Sequence, residues 1–119
     1  MERITQRTNF KMENENITMS RGDTLMFNVQ VFDENGQAME VDSAFFTCKK
    51  RASSQENVFQ KALGSGITQS DGMLAVRVAP EDTREVDEGT YFYDMQIGVT
   101  PDVYTIKKGI LSIEQDVSW

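Results

Sequence analysis

Hydrophobic and polar residues alternate along most of this chain, and the alternation has a period of two. Its clearest run is Gly89-Thr90-Tyr91-Phe92-Tyr93-Asp94-Met95-Gln96-Ile97, where Tyr91, Tyr93, Met95 and Ile97 share one parity and Phe92, Asp94 and Gln96 the other. Such a run predicts a strand with one buried face. The same pattern places Leu25, Phe27, Val29 and Val31 inward in a strand from Thr24 to Phe32, and Leu74, Val76 and Val78 inward in another. Shorter strands are predicted at Ile17–Met19, Ala44–Cys48, Val58–Leu63 and Ile67–Thr68, with Val41 plugging the edge of the core. In the last strand, Val103 to Ile113, Tyr104 and Ile106 share a parity that Leu111 and Ile113 do not. The expectation is a bulge at Gly109, between the two sets, that switches the inward face.

Turn signals punctuate these runs. Asn35-Gly36 and Asp71-Gly72 suit tight turns with positive φ, and Gly64-Ser65-Gly66 breaks a strand. Pro80 ends one strand and suits the first turn of a short helix through Glu85, with acidic residues at its positive end and Val86 folding back on the core. Short strands at regular spacing, with no amphipathic helix long enough to cover a sheet, predict an all-β fold. Its expected form is an immunoglobulin-like β-sandwich of about seven strands in two antiparallel sheets. Asp87-x-Gly89-x-Tyr91 then reads as the E–F corner, with the short helical turn beside it and the Tyr91 hydroxyl bonding back to backbone between Glu85 and Asp87. Tyr93 takes the place of the bridging cysteine and is expected to pack near Phe27 and Phe46.

The 119 residues are one domain's worth. The expected organisation is an extended N-terminal arm over residues 1–16, a sandwich over 17–117 and a tail at 118–119. Ile4, Phe10 and Met12 are the apolar anchors of a polar arm that cannot bury itself, and Val117 and Trp119 are their counterparts in the tail. These five are the candidate partner-binding residues.

A net charge of −7 argues against nucleic acid and against an anionic membrane surface. Cys48 is the only cysteine, which rules out an intrachain disulfide and suits a reducing cytoplasm. The first residues carry no hydrophobic signal region, and the expectation is that the chain is not secreted. There is no histidine, the commonest general base and a common metal ligand. Glu81, Asp82, Glu85, Asp87 and Glu88 lack the spacing of a calcium loop and read as a solvated turn. Arg21-Gly22-Asp23 is a turn before a strand, and Asn16-Ile17-Thr18 is a glycosylation acceptor only in a secreted chain. No catalytic, cofactor-binding or metal-binding set is expected, and the chain is not expected to be an enzyme. Phe92, facing out from the buried row, is the candidate for contact with a glycan.

The stretches Arg21-Gly22-Asp23-Thr24, Gly36, Gly89-Thr90-Tyr91-Phe92-Tyr93-Asp94-Met95-Gln96 and Tyr104-Thr105-Ile106-Lys107-Lys108-Gly109 carry a resemblance. From about residue 17 to 117 the chain resembles the small Ig-like virion domains of tailed phages, including N-terminal domains of baseplate upper proteins and related fibre or head-decoration modules. The resemblance implies a virion protein made in the cytoplasm of a host bacterium. It would dock on other virion subunits, further copies of itself among them. Longer relatives continue into a receptor-binding or fibre part where this chain stops at Trp119, so the expectation is a free-standing adaptor or decoration subunit. The alternative is a carbohydrate-binding module that reads a bacterial surface glycan through exposed aromatics such as Phe92.

Overall fold

The computed structural model describes residues 2–6, 11–13, 16–32, 35–51, 53 and 55–115, the first two segments by backbone alone. Among these the protein is all-β, with a single four-residue helix. In chain order the strands are β1 (Glu2–Gln6), β2 (Lys11–Glu13), β3 (Asn16–Ser20), β4 (Leu25–Val31), β5 (Ser43–Lys49), β6 (Phe59–Leu63), β7 (Gly66–Ser70) and β8 (Met73–Val78). The helix α1 (Pro80–Thr83) leads to β9 (Gly89–Val99) and β10 (Asp102–Glu114).

Hydrogen bonding runs through all ten strands in the order β1-β4-β8-β7-β6-β5-β9-β10-β3-β2. The expected seven strands in two separate sheets are therefore corrected to one continuous sheet. The link is local. Ser65 and Ala62 exchange backbone bonds of 2.7 and 2.9 Å, turning the chain so tightly that Gly66 and Ile67 lie parallel beside Ala62 and Leu63. Gly64 and Gly66 hold φ of 90° and 98° in that loop, a conformation glycine adopts without penalty.

The sheet rolls on itself because every long strand has one apolar face. Residues of β4 alternate buried and half-buried along the whole strand, and Tyr91, Tyr93, Met95 and Ile97 of β9 are all buried. Phe27 and Phe46 lie on β4 and β5, four pairings apart in the sheet, yet their rings meet edge to face at 5.3 Å. Phe46 also packs against Tyr93 at 5.4 Å and Phe59 at 6.1 Å, so it sits where the inner face closes over itself. The two outermost strands, β1 and β2, are joined by only four residues. Five steps of chain reach at most about 18 Å, so the two edges of the sheet return towards each other.

Several local expectations are met. Val41 is buried, and the Gln69 side chain clamps its backbone, accepting from its N–H at 2.7 Å and donating to its carbonyl at 3.1 Å. The Tyr91 hydroxyl donates to the Asp87 carbonyl oxygen at 2.6 Å. Val86 packs against the core from a half-buried position. The helix stops at Thr83, earlier than expected, because Val86 N–H turns back to the Thr83 carbonyl.

The bulge in β10 is elsewhere than expected. Lys107 stands opposite Met95 and Thr105 opposite Gln96, so the extra residue is Ile106, while Gly109 stays in register opposite Tyr93. Ile106 brings a half-buried apolar side chain to the core's edge, and Gly109 sets a residue with no side chain beside a large ring. Tyr104, on the expected inward parity, is 50% exposed. The cause is reach: β3 covers only Leu111–Glu114, so β10 runs on past it, whereas β5 follows β9 on the other side as far as Gly98.

Candidate functional site

Chemistry on the outside of this protein concentrates on β5, β9 and β10. Cross-strand register sets Lys49, Phe92 and Ile110 in one row of the outer face, and Thr47, Asp94 and Lys108 in the next. A third row continues with Phe45, Gln96 and Thr105. Together the first two rows line an open groove of about 420 Å³. Gln60 donates to the Thr47 hydroxyl at 2.9 Å and fixes the near wall. Lys49, Lys108 and Asp94 form no ion pair or side-chain hydrogen bond among the described residues, although Asp94 and Lys108 are direct cross-strand neighbours.

Beyond the groove the hairpin end carries Val103 and Tyr104, 69% and 50% exposed. Its turn is braced from β5's side: Asp42 donates its N–H to the Gly98 carbonyl at 2.8 Å, and its carboxylate accepts from the Thr100 N–H at 2.7 Å. That bond holds the Asp42 carboxyl below its ordinary range. A Cβ at Gly98 would collide with Ser43 Oγ, which would have to turn aside. On the other side of β10, β3 pairs only with Leu111–Glu114, and the Asn16 side chain accepts from the Ile110 N–H at 3.3 Å where that pairing begins. Among the described residues, the β10 edge from Asp102 to Gly109 faces no strand on that side.

The opposite corner is occupied by structural bonds. Asp82 accepts from the Ala79 N–H at 2.8 Å and pairs with Lys61 at 2.6 Å, tying α1 to β6. Thr83, fully buried, accepts from the Gly22 N–H at 2.8 Å. Among the described residues no three His, Cys, Asp or Glu side chains gather closely enough to hold a metal ion. No helix there is long and apolar enough to cross a membrane. Cys48 is fully buried, and burial pushes its thiol up to about 12. Desolvation raises the Tyr91 hydroxyl, and the nearby Asp87 charge adds to the shift.

Of the candidate residues, Phe92 faces out as expected, at 38% exposure. Ile4 lies in β1 opposite Val29, and Met12 in β2 opposite Ile17. Phe10, Val117 and Trp119 lie outside the described residues. Phe45 was missed: it is 37% exposed on the same face as Phe92. Its signal was present, because Ala44, Phe46 and Cys48 take the buried parity of β5 and leave Phe45 on the other. Lys49, Asp94 and Lys108 had no such signal, since three charged residues on separate strands meet only through the register.

Comparison with protein-family models and with curated proteins gave no match to the chain.

Proposed function

We propose that this protein is a non-enzymatic structural component of a tailed-phage virion. In this reading it is an Ig-like adaptor or decoration module that docks onto neighbouring baseplate, tail, neck or capsid subunits. It is made in the cytoplasm of the host bacterium and ends in the particle. The observation that carries the reading is the β9–β10 hairpin. Its β10 strand extends past β3, its turn is braced by Asp42, it exposes Val103 and Tyr104, and it leaves the β10 edge from Asp102 to Gly109 without a strand partner among the described residues. An apolar tip on a rigid support, beside an open strand edge, suits docking against another subunit.

The strand order supports the Ig-like part. β1, β4, β8 and β7 follow one another as strands A, B, E and D would, and β6, β5, β9 and β10 as C′, C, F and G would. The short parallel contact between β6 and β7 then joins what would otherwise be two sheets. The bond from Tyr91 to Asp87 supplies the tyrosine corner of such a domain.

The test is the composition of purified particles. Cells expressing the gene with its genomic neighbours are expected to yield particles that carry the protein in fixed ratio to the major subunits, measured by quantitative mass spectrometry. Val103→Asp and Tyr104→Asp, both at exposed positions, are expected to lower that ratio several-fold while the free protein stays folded. Particles that lack the protein, or no particles at all, would overturn the reading.

A further inference from the structure

We propose that the groove on the outer face of β5, β9 and β10 binds an acidic saccharide, a sugar ring that carries a carboxylate. The inference does not depend on the virion reading.

Three observations converge on it. The groove is concave and open, with the exposed ring of Phe92 and the side chain of Ile110 forming an apolar floor. An aromatic face is electron-rich and attracts the polarised C–H groups of a sugar ring. Two cations stand diagonally across that floor, Lys49 beside Phe92 and Lys108 beside Asp94. Strand spacing and a two-residue rise put their Cα atoms about 12 Å apart, wide enough to admit a ring between them and close enough for long side chains to converge on it.

Charge decides the class of ligand. The chain as a whole has a net charge of −7, yet the groove sets two lysines against the single carboxylate of Asp94. All three lack an ionic partner among the described residues. A ligand carboxylate would form charge-assisted hydrogen bonds with the lysines. The carboxylate of Asp94 stands ready for ring hydroxyls. A neutral sugar would leave both lysines unmatched, whereas a bare inorganic anion would leave Phe92 unused.

The test is titration of the full-length, isotope-labelled protein, read by amide chemical shifts, with named probes. These are tetragalacturonate, a hyaluronan tetrasaccharide, sialyllactose, neutral maltotetraose, inorganic phosphate and a hexaglutamate peptide. At least one of the three acidic sugars is expected to shift the amides of 47–49, 92–94 and 108–110, and to bind at least tenfold more tightly than maltotetraose. Affinity should fall at least tenfold in Phe92→Ala and in the double variant Lys49→Gln/Lys108→Gln. All of these changes lie on the outer face, and circular dichroism checks that each variant is folded. The weakening should grow with salt for the parent and be nearly flat for the double variant. No shift with any acidic sugar would overturn the proposal, as would equal binding of maltotetraose. Phosphate producing the same shifts at the same affinity would mark a simple anion site, and tighter binding of hexaglutamate would mark an acidic protein partner. Either result would also overturn it. Because the readout is the isolated protein, a negative result here leaves the composition of particles untouched.

Discussion

The hydroxyl of Tyr91 donates a 2.6 Å hydrogen bond to the backbone carbonyl of Asp87, four residues earlier, and so closes the corner from which β9 starts. The ring itself is buried in the core, so the bond fixes the corner to the sheet. Tyr91→Phe keeps the ring and removes the bond, leaving the Asp87 carbonyl to find another partner. The expected loss is about 1–2 kcal/mol of unfolding free energy, read as a lower urea midpoint with an unchanged slope. A midpoint equal to the parent's would mean that solvent replaces the bond at no cost.

Much of this arrangement was legible in the sequence, because a period of two carries its own consequence. Once Tyr91, Tyr93, Met95 and Ile97 share a parity, Phe92 must face the other way, and it does. What the chain concealed was pairing. Nothing local announces that Ala62 and Gly66 will lie side by side and join two halves into one sheet, since that depends on a two-residue loop and its geometry. The bulge is hidden for a related reason: a glycine in a strand suggests the irregularity, whereas the extra residue is Ile106 and Gly109 stays in register opposite Tyr93. The groove depends on register alone, which sets Lys49, Asp94 and Lys108 on one face from three separate strands.

Thr83 ties the same corner to the far side of the domain. It is fully buried, and its hydroxyl oxygen accepts from the N–H of Gly22, in the turn that leads into β4. Thr83→Val preserves shape but strands that donor. The expected cost is about 1–2 kcal/mol, that of leaving a part-buried amide without its partner, whereas Thr83→Ser should lose less than half as much. Faster amide exchange at Gly22 in the valine variant checks the cause independently.

Cys48 makes the protein sensitive to alkali. Its folded thiol titrates at about 12 against an ordinary value of 9.0, so above pH 9 the unfolded chain loses a proton that the native state keeps. Unfolding then releases a proton, and stability falls with rising pH across the window from 9 to 12, by at most about 1.4 kcal/mol per pH unit. Tyr91 is shifted in the same direction and contributes at the upper end. Cys48→Ala should flatten the lower part of this decline in urea titrations run at successive pH values. In the parent, thiol-specific labelling at pH 8 should be slow until denaturant opens the core.

The turn between β7 and β8 offers a test of backbone rather than side-chain chemistry. Gly72 has a φ of +76°, and a methyl group built there would lie 3.0 Å from Ala38 Cβ and 3.1 Å from the backbone of Met39. Gly72→Ala therefore meets two obstacles at once, a left-handed conformation and a neighbour that is backbone and cannot swing aside. The Val31 N–H also donates to the Gly72 carbonyl at 3.2 Å, so a shift of the turn would pull on β4.

The ion pair between Lys61 and Asp82 separates two ways of joining a helix to a sheet. Its nitrogen and oxygen are 2.6 Å apart, and the side chains are only 17% and 20% exposed, so solvent screens it poorly. Asp82 has a second duty that Lys61 lacks, accepting from the Ala79 N–H at the start of α1. Removing the carboxylate by Asp82→Ala thus strands both a lysine and a helix-end donor, while Lys61→Met strands the carboxylate but leaves its bond to Ala79. The alanine variant should lose the more, about 2–4 kcal/mol against about 1–2 for the methionine variant. In the double variant the Ala79 N–H is still stranded but the charge is not, so the combined loss should fall short of the sum by about 1 kcal/mol or more. Additive losses would show that Lys61 and Asp82 do not act through each other, leaving the capping bond to Ala79 as the carboxylate's whole part in the corner.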